Sequence, residues 1–188
     1  MSVSPAPPLL LASQSPQRRA ILEQLRIPFE VVIPSYEERG TDPVEHAAGK
    51  AHSIDGGDRP VLAVDTVVVC DGAVLGKPAD AGEAERMIET LGGTTHEVVS
   101  GLCLRTAAWE ELHAETTRVT FRPLTARDIA RYVAAEEWRE RAGAYAIQGL
   151  GASLVERIEG DYLNVVGLPA ALLIRLLAAR FGGIYGFG

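Results

Sequence analysis

"PVLAVDTVVVCDGAVLGKP", residues 60–78, places an aspartate in the middle of an aliphatic run and ends that run at Asp71-Gly72. An Asp-Gly pair between two β-branched segments is a strong signal for a two-residue hairpin turn, so the stretch predicts two antiparallel strands. Working outward, Leu9 to Ala12 read as a buried strand, Ser15 as a helix N-cap and Pro16 as the first helical residue. Ile21, Leu22 and Leu25 then supply one apolar helix face. "FEVVIPSYEERG", 29–40, predicts a strand running into a polar loop. "DPVEHAAGKAHSI", 42–54, predicts a helix with Pro43 near its start and Lys50 well inside it.

On the other side of the hairpin, a helix is expected from about Asp80, with Glu83 completing a capping-box pattern. Ala84, Met87, Ile88 and Leu91 form its buried face, and Gly92-Gly93 stop it. Two strands, "THEVVSGLCL" (95–104) and "ETTRVTFRPL" (115–124), precede a helix capped by Thr125 with Asp128 three residues on. The remainder reads as a glycine-punctuated loop at 142–151, a strand over 152–158, a turn at 159–161 and a closing helix from Pro169 to about Phe181. The glycine-rich end, 182–188, is expected to be flexible, with aromatic residues able to dock. Strands and helices alternate, yet hairpins are present, so the expected class is α/β with a mixed sheet.

Composition narrows the function. The 188 residues suit one domain with a sizeable core. Eighteen basic against twenty-five acidic residues, net −7, argue against general binding to nucleic acid or an anionic membrane, which needs a broad basic surface. Cys70 and Cys103 lie in apolar strand-like runs without zinc-ligand spacing, so they read as buried, reduced core residues. The start of the chain has no basic segment before its short apolar run, and Arg175 interrupts the longest later apolar stretch. A cytoplasmic protein is therefore expected.

Three features carry chemistry. First, a strand that ends in small hydroxyl residues and turns into a helix has free amides for an anion, and Ser13 and Ser15 add hydroxyls. Arg18 and Arg19 stand where the helix dipole disfavours a cation, unless a phosphate sits between them. The bland alternative is a simple cap with solvated arginines. Second, an ionised Asp65 amid aliphatic residues is costly unless paired or coordinated, which makes it a site candidate or a structural ion pair. The turn at Asp71-Gly72 would bring Lys77 back toward it, although an exposed loop lysine reads equally well. Third, Gly143, Gly149 and Gly151 flank Gln148, whose amide suits a base edge. They also suit plain turns and bulges. No Walker A motif and no Gly-x-Ser-x-Gly elbow occurs.

Five blocks occur in register over about residues 9–177: "LASQSPQRRAILEQL" (11–25), "VDTVVVCDGAVLGKP" (64–78), "GGTTHEVVSG" (92–101), "VTFRPLT" (119–125) and "AGAYAIQGLGASLVERIEGDYLNVVGLP" (142–169). Together they resemble the Maf family of nucleoside triphosphate pyrophosphatases, once discussed as septum-formation inhibitors. The resemblance implies an inosine-triphosphatase-like fold. That fold is one Maf-like domain over 1–188, an elongated mixed sheet flanked by helices, with two lobes around a central cleft. It also implies hydrolysis of a nucleoside triphosphate to the monophosphate and pyrophosphate, dependent on Mg²⁺ or Mn²⁺.

By the same resemblance the catalytic aspartate falls on Asp65, and the phosphate-binding residues fall on Ser13, Arg18, Lys50 and Lys77. The loop glutamate falls on Glu38, a metal candidate together with Asp65, and Glu37 stands where many members have Asp. Three positions associated with base choice fall on Gln17, Thr66 and Gln148. Members acting on dTTP and UTP usually show Arg, Thr and Gln there, whereas the methylated-GTP subgroup shows Trp, Gln and Glu. Thr66 and Gln148 match the first set and Gln17 matches neither, so the implied substrate is dTTP or UTP with a broader range open. Members are often dimers, although no exposed apolar stripe in this sequence marks a homodimer interface. Two alternatives stay open: a non-catalytic nucleotide-binding regulator of cell division, and a pyrophosphatase for inosine or xanthosine triphosphate.

Overall fold

A computed structural model describes residues 6–188. Its first strand, β1 (Leu9–Leu11), is fully apolar and buried, and α1 (Pro16–Gln24) follows with Ser15 as N-cap and Pro16 in the first turn. The chain returns to β2 (Phe29–Val31), parallel to β1, then passes through α2 (Pro43–His52) to β3 (Val61–Cys70), parallel to β1 on its other side. The hairpin forms at Asp71-Gly72: β4 (Ala73–Leu75) runs antiparallel to β3 in the register Cys70 with Ala73, Val69 with Val74 and Val68 with Leu75. Both turn residues have positive φ, 49° and 79°, as a tight hairpin of this chemistry requires.

After α3 (Ala81–Leu91) come the long strands β5 (Thr95–Arg105) and β6 (Glu110–Phe121), then α4 (Ala126–Ala134), β7 (Val155–Glu159), α5 (Tyr162–Val166) and α6 (Ala170–Phe181). The seven-stranded sheet is mixed, in the order β2-β1-β3-β5-β6-β7 with β4 paired to β3. Caps explain the helix starts. Asp80 accepts from Glu83 N at 2.8 Å, and Thr125 and Asp128 form a reciprocal capping box. The strand expected over 152–158 begins only at Val155, because a 3-10 turn occupies Gly149–Leu154; α5 is an added short helix.

The chain divides into two compact units. The first comprises residues up to Asp65, Ser100–Glu115 and Gly167–Gly188; the second comprises Thr66–Val99 and Thr116–Val166. In the first, Leu10, Ala12, Ala47, Ala51, Val61, Ala63 and Cys103 pack α2 against the strands. Tyr185, near the chain's end, is buried there and donates to the Pro7 carbonyl at 2.7 Å. In the second, Ile88, Leu91, Phe121, Tyr132, Trp138 and Tyr145 build an aromatic-rich core. Each large apolar side chain of such cores contributes about 1.5–3 kcal/mol on burial. Cys70 and Cys103 are buried and free, and burial first, then the nearby Glu110 charge, pushes the Cys103 thiol up to about 12.

Candidate active site

The first unit's share of β3 ends at Asp65, immediately after four fully buried aliphatic residues. A carboxylate leaving such a strand needs partners, because desolvation costs several kcal/mol per ion. The α2 helix supplies both. Lys50 Nζ donates to Asp65 Oδ1 at 2.7 Å, and His46 Nδ1 lies 3.2 Å from Asp65 Oδ2. These residues stand four apart, hence on one helix face, and that face is turned to β3.

Two glycines let α2 sit where it does. A Cβ on Gly101 of β5 would fall 2.2 Å from the Pro43 carbonyl oxygen, so the helix start lies directly on the strand backbone. A Cβ on Gly49 would fall 2.2 Å from the Tyr36 ring, so the loop after β2 rests on the middle of the helix. Glycine inside a helix costs about 1 kcal/mol relative to alanine, and this contact is the reason it stands there.

The same loop carries Glu38. Lys50 Nζ lies 2.5 Å from Glu38 Oε1, so one ammonium bridges the two carboxylates, and His46 Nε2 is 3.1 Å from the Arg39 carbonyl. Burial pulls the His46 pKa down. Hydrogen bonds to Arg39 and Asp65, with the charges of Asp65 and Glu38, outweigh it and leave His46 above its ordinary value. Glu38, His46 and Asp65 each offer a ligand atom within 4.8 Å of one another. Two carboxylates and an imidazole suit a divalent cation, so this donor set fits the metal that the resemblance implies.

At the start of α1, Ser15 Oγ accepts from Arg18 N at 3.4 Å and donates to Gln17 Oε1 at 3.1 Å. Ser13 is buried, and its Oγ accepts from Ser15 N at 3.2 Å and from Arg18 Nη1 at 3.0 Å. Arg18 Nε donates to the Gly167 carbonyl at 2.8 Å, which fixes the plane of the guanidinium. Burial lowers the pKa of Arg18, opposed by the charges of Asp65 and Glu38. Arg19, next in sequence, is exposed.

Of the sequence candidates, Ser13, Gln17, Arg18, Glu38, Lys50 and Asp65 thus belong to the first unit, and Thr66, Lys77 and Gln148 to the second. Lys77 is exposed and pairs with Glu140 at 2.9 Å. Gln148 is exposed at the start of the 3-10 turn. The glycines around it answer to internal packing: a Cβ on Gly143 would meet Val68, on Gly149 the Glu137 carboxylate, and on Gly151 the Ala146 carbonyl at 1.8 Å. Leu150 N and Gly151 N donate to Glu137 at 3.0 and 3.2 Å, so these loop amides already hold an anion of the chain itself. Sequence reasoning passed over His46, whose signal was its spacing of four from Lys50 on a predicted helix.

A family model described as "Maf-like protein" matches residues 8–180. A protein from Deinococcus radiodurans named "dTTP/UTP pyrophosphatase" is 41% identical, with both chains fully covered. Proteins of the same name from Thermus thermophilus and Nitratidesulfovibrio vulgaris are 45% and 46% identical, covering 93% of this chain and 95% and 89% of their own. A match of this extent, over a mixed α/β sheet that brings the candidate residues of the first unit together, means that the chain belongs to the Maf family.

Proposed function

We propose that the protein hydrolyses a nucleoside triphosphate, dTTP or UTP, to the monophosphate and pyrophosphate, with Asp65 as general base. The observation that carries this reading is the Asp65 carboxylate held by Lys50 and His46 beside Glu38, in a chain 41–46% identical to proteins named for that reaction. In this reading a water loses its proton to Asp65 as its oxygen bonds to the α-phosphorus, and the bond to the pyrophosphate oxygen breaks. A carboxylate has about four lone-pair sites, so donors from Lys50 and His46 leave acceptor capacity for that water.

The other residues act on charge and position. Lys50 and Arg18 offset the polyanion, and the Gly167 carbonyl and Ser13 hydroxyl fix the plane of the Arg18 guanidinium. Ser13 Oγ already accepts two hydrogen bonds, which leaves its own proton for a phosphate oxygen. Lys77 is assigned to the phosphates as well, and Gln17, Thr66 and Gln148 to the base. Glu38 and Asp65 would hold Mg²⁺ or Mn²⁺, which when bound withdraws charge from the phosphoryl oxygens. Catalysis in such a site is mostly positioning and electrostatics. Among the described residues no helix is long and apolar enough to cross a membrane.

The test is pyrophosphate release from dTTP, UTP, CTP, the purine triphosphates, methylated GTP and ITP with Mg²⁺ or Mn²⁺. Turnover concentrated on dTTP and UTP supports the reading, and broad turnover assigns Gln17 a role in relaxing specificity. Preference for ITP moves the protein to the deaminated-purine class. Absence of turnover favours a nucleotide-binding regulator.

A further inference from the structure

We propose that His46 is a third protein ligand of the divalent cation in this site, and that its nitrogen tilts the site from Mg²⁺ toward later transition metals such as Co²⁺. The inference rests on the reading of Glu38 and Asp65 as metal ligands. His46 is only 4% exposed, yet it packs on polar groups rather than serving as an apolar filler. Its Nε2 faces the Arg39 carbonyl, which can only accept, so Nε2 carries hydrogen in either state of the ring, and Nδ1, a donor to Asp65 Oδ2 when protonated, is the nitrogen turned to the carboxylates whose lone pair a cation would take. An imidazole that ligates a metal through one nitrogen commonly donates its other N–H to a backbone carbonyl, which fixes tautomer and ring plane.

The division of Asp65 points the same way. Lys50 takes Oδ1 and His46 faces Oδ2, so the imidazole lies at the carboxylate oxygen that the ammonium leaves. With Glu38 the set becomes one nitrogen and two oxygens within 4.8 Å of one another. Mg²⁺ prefers oxygen donors, whereas imidazole raises affinity for Co²⁺, Ni²⁺ and Zn²⁺ along the usual divalent order. Lys50 and His46 also divide the work, the ammonium facing both carboxylates and the imidazole setting which cation joins them.

The test is direct titration of the full chain with CoCl2 and with MgCl2 in the absence of nucleotide, by calorimetry and by the visible absorption of bound Co²⁺. His46→Ala and His46→Leu are run beside the wild type, with circular dichroism and melting as fold controls. In whichever variant folds, Co²⁺ affinity should fall about tenfold or more, with the Co²⁺ band altered, while Mg²⁺ affinity changes by less than about threefold. Equal losses for the two ions, or an unchanged Co²⁺ band, would overturn the proposal, as would a wild type that binds neither ion. Pyrophosphate release is scored separately: Co²⁺ binding through His46 without nucleotide turnover sinks the enzymatic reading and leaves this one standing.

Discussion

Replacing Gly101 with alanine should displace the start of α2, the helix that carries Lys50 and His46. The added Cβ would lie 2.2 Å from the Pro43 carbonyl oxygen, 2.4 Å from its carbon and 2.6 Å from Val44 Cα, where ordinary contact begins at 3.4 Å. All three atoms are backbone, so no side chain can swing away, and the first turn of α2 must retreat by about 1 Å. Overpacking of this kind costs about 1–3 kcal/mol. In a chain of this size that lowers the melting temperature by about 3–10 °C. The α2 helix carries Lys50 and His46, whose 2.7 and 3.2 Å contacts with Asp65 would stretch past good hydrogen-bond length. A misplacement of about 1 Å can cost about a hundredfold in turnover, so kcat for pyrophosphate release should fall by about ten- to a hundredfold. Thermal melting and pyrophosphate release read the two effects. Gly76→Ala is the control, since nothing lies within 4 Å of its Cβ and its φ is not positive, and it should stay within about 0.5 kcal/mol of wild type. Wild-type melting and turnover in Gly101→Ala would refute the claim that this close approach sets α2.

Gly49→Ala restores helix propensity worth about 1 kcal/mol but drives the Tyr36 ring off α2. Melting should hold, while turnover at limiting metal falls and recovers with excess metal, as kinetics against metal concentration would read. His96 is buried with Nε2 on the Tyr145 hydroxyl at 2.8 Å and Nδ1 without a partner, and burial lowers its pKa to about 4. The unfolded chain, titrating near 6.5, binds that proton first, so stability falls as pH drops below about 6.5 and the loss saturates near pH 4. Between pH 7.5 and 5.5 the loss from this group should be about 1 kcal/mol, and urea unfolding of His96→Gln should lack that increment. Thr125→Ala removes the capping box of α4 and should cost about 1 kcal/mol by the same assay.

Local chemistry was legible where local rules govern. Ser15 with Pro16, Thr125 with Asp128 and the Asp71-Gly72 turn act through near neighbours and form as read, while Asp80 caps α3 but Glu83 Oε2 accepts from Ala79 N at 2.7 Å instead of closing the box. What depends on distant packing was not. The short α5 exists because Asn164 donates to Val98 O and Thr117 Oγ1, both at 3.1 Å, and no periodicity in five residues announces that. The 3-10 turn before β7 satisfies loop amides with Glu137, which lies thirteen and fourteen positions earlier in the chain, beyond the reach of any local rule. In the site, Asp65 stood out because burial of a lone carboxylate is costly. His46 did not, since one histidine in a short helix carries no sign of its partner until α2 is laid against β3. The loop glycines looked like room for a ligand and turn out to be room for Val68, Glu137 and the Ala146 carbonyl.

In the proposed reaction Asp65 receives the proton of the attacking water. Asp65→Asn keeps the shape of the side chain and removes the base, so the decisive measurement is pyrophosphate release from dTTP and UTP by this variant beside wild type at saturating metal. The expected loss in kcat is about 10²–10⁴, with nucleotide binding retained. Comparable kcat in the two proteins would contradict it.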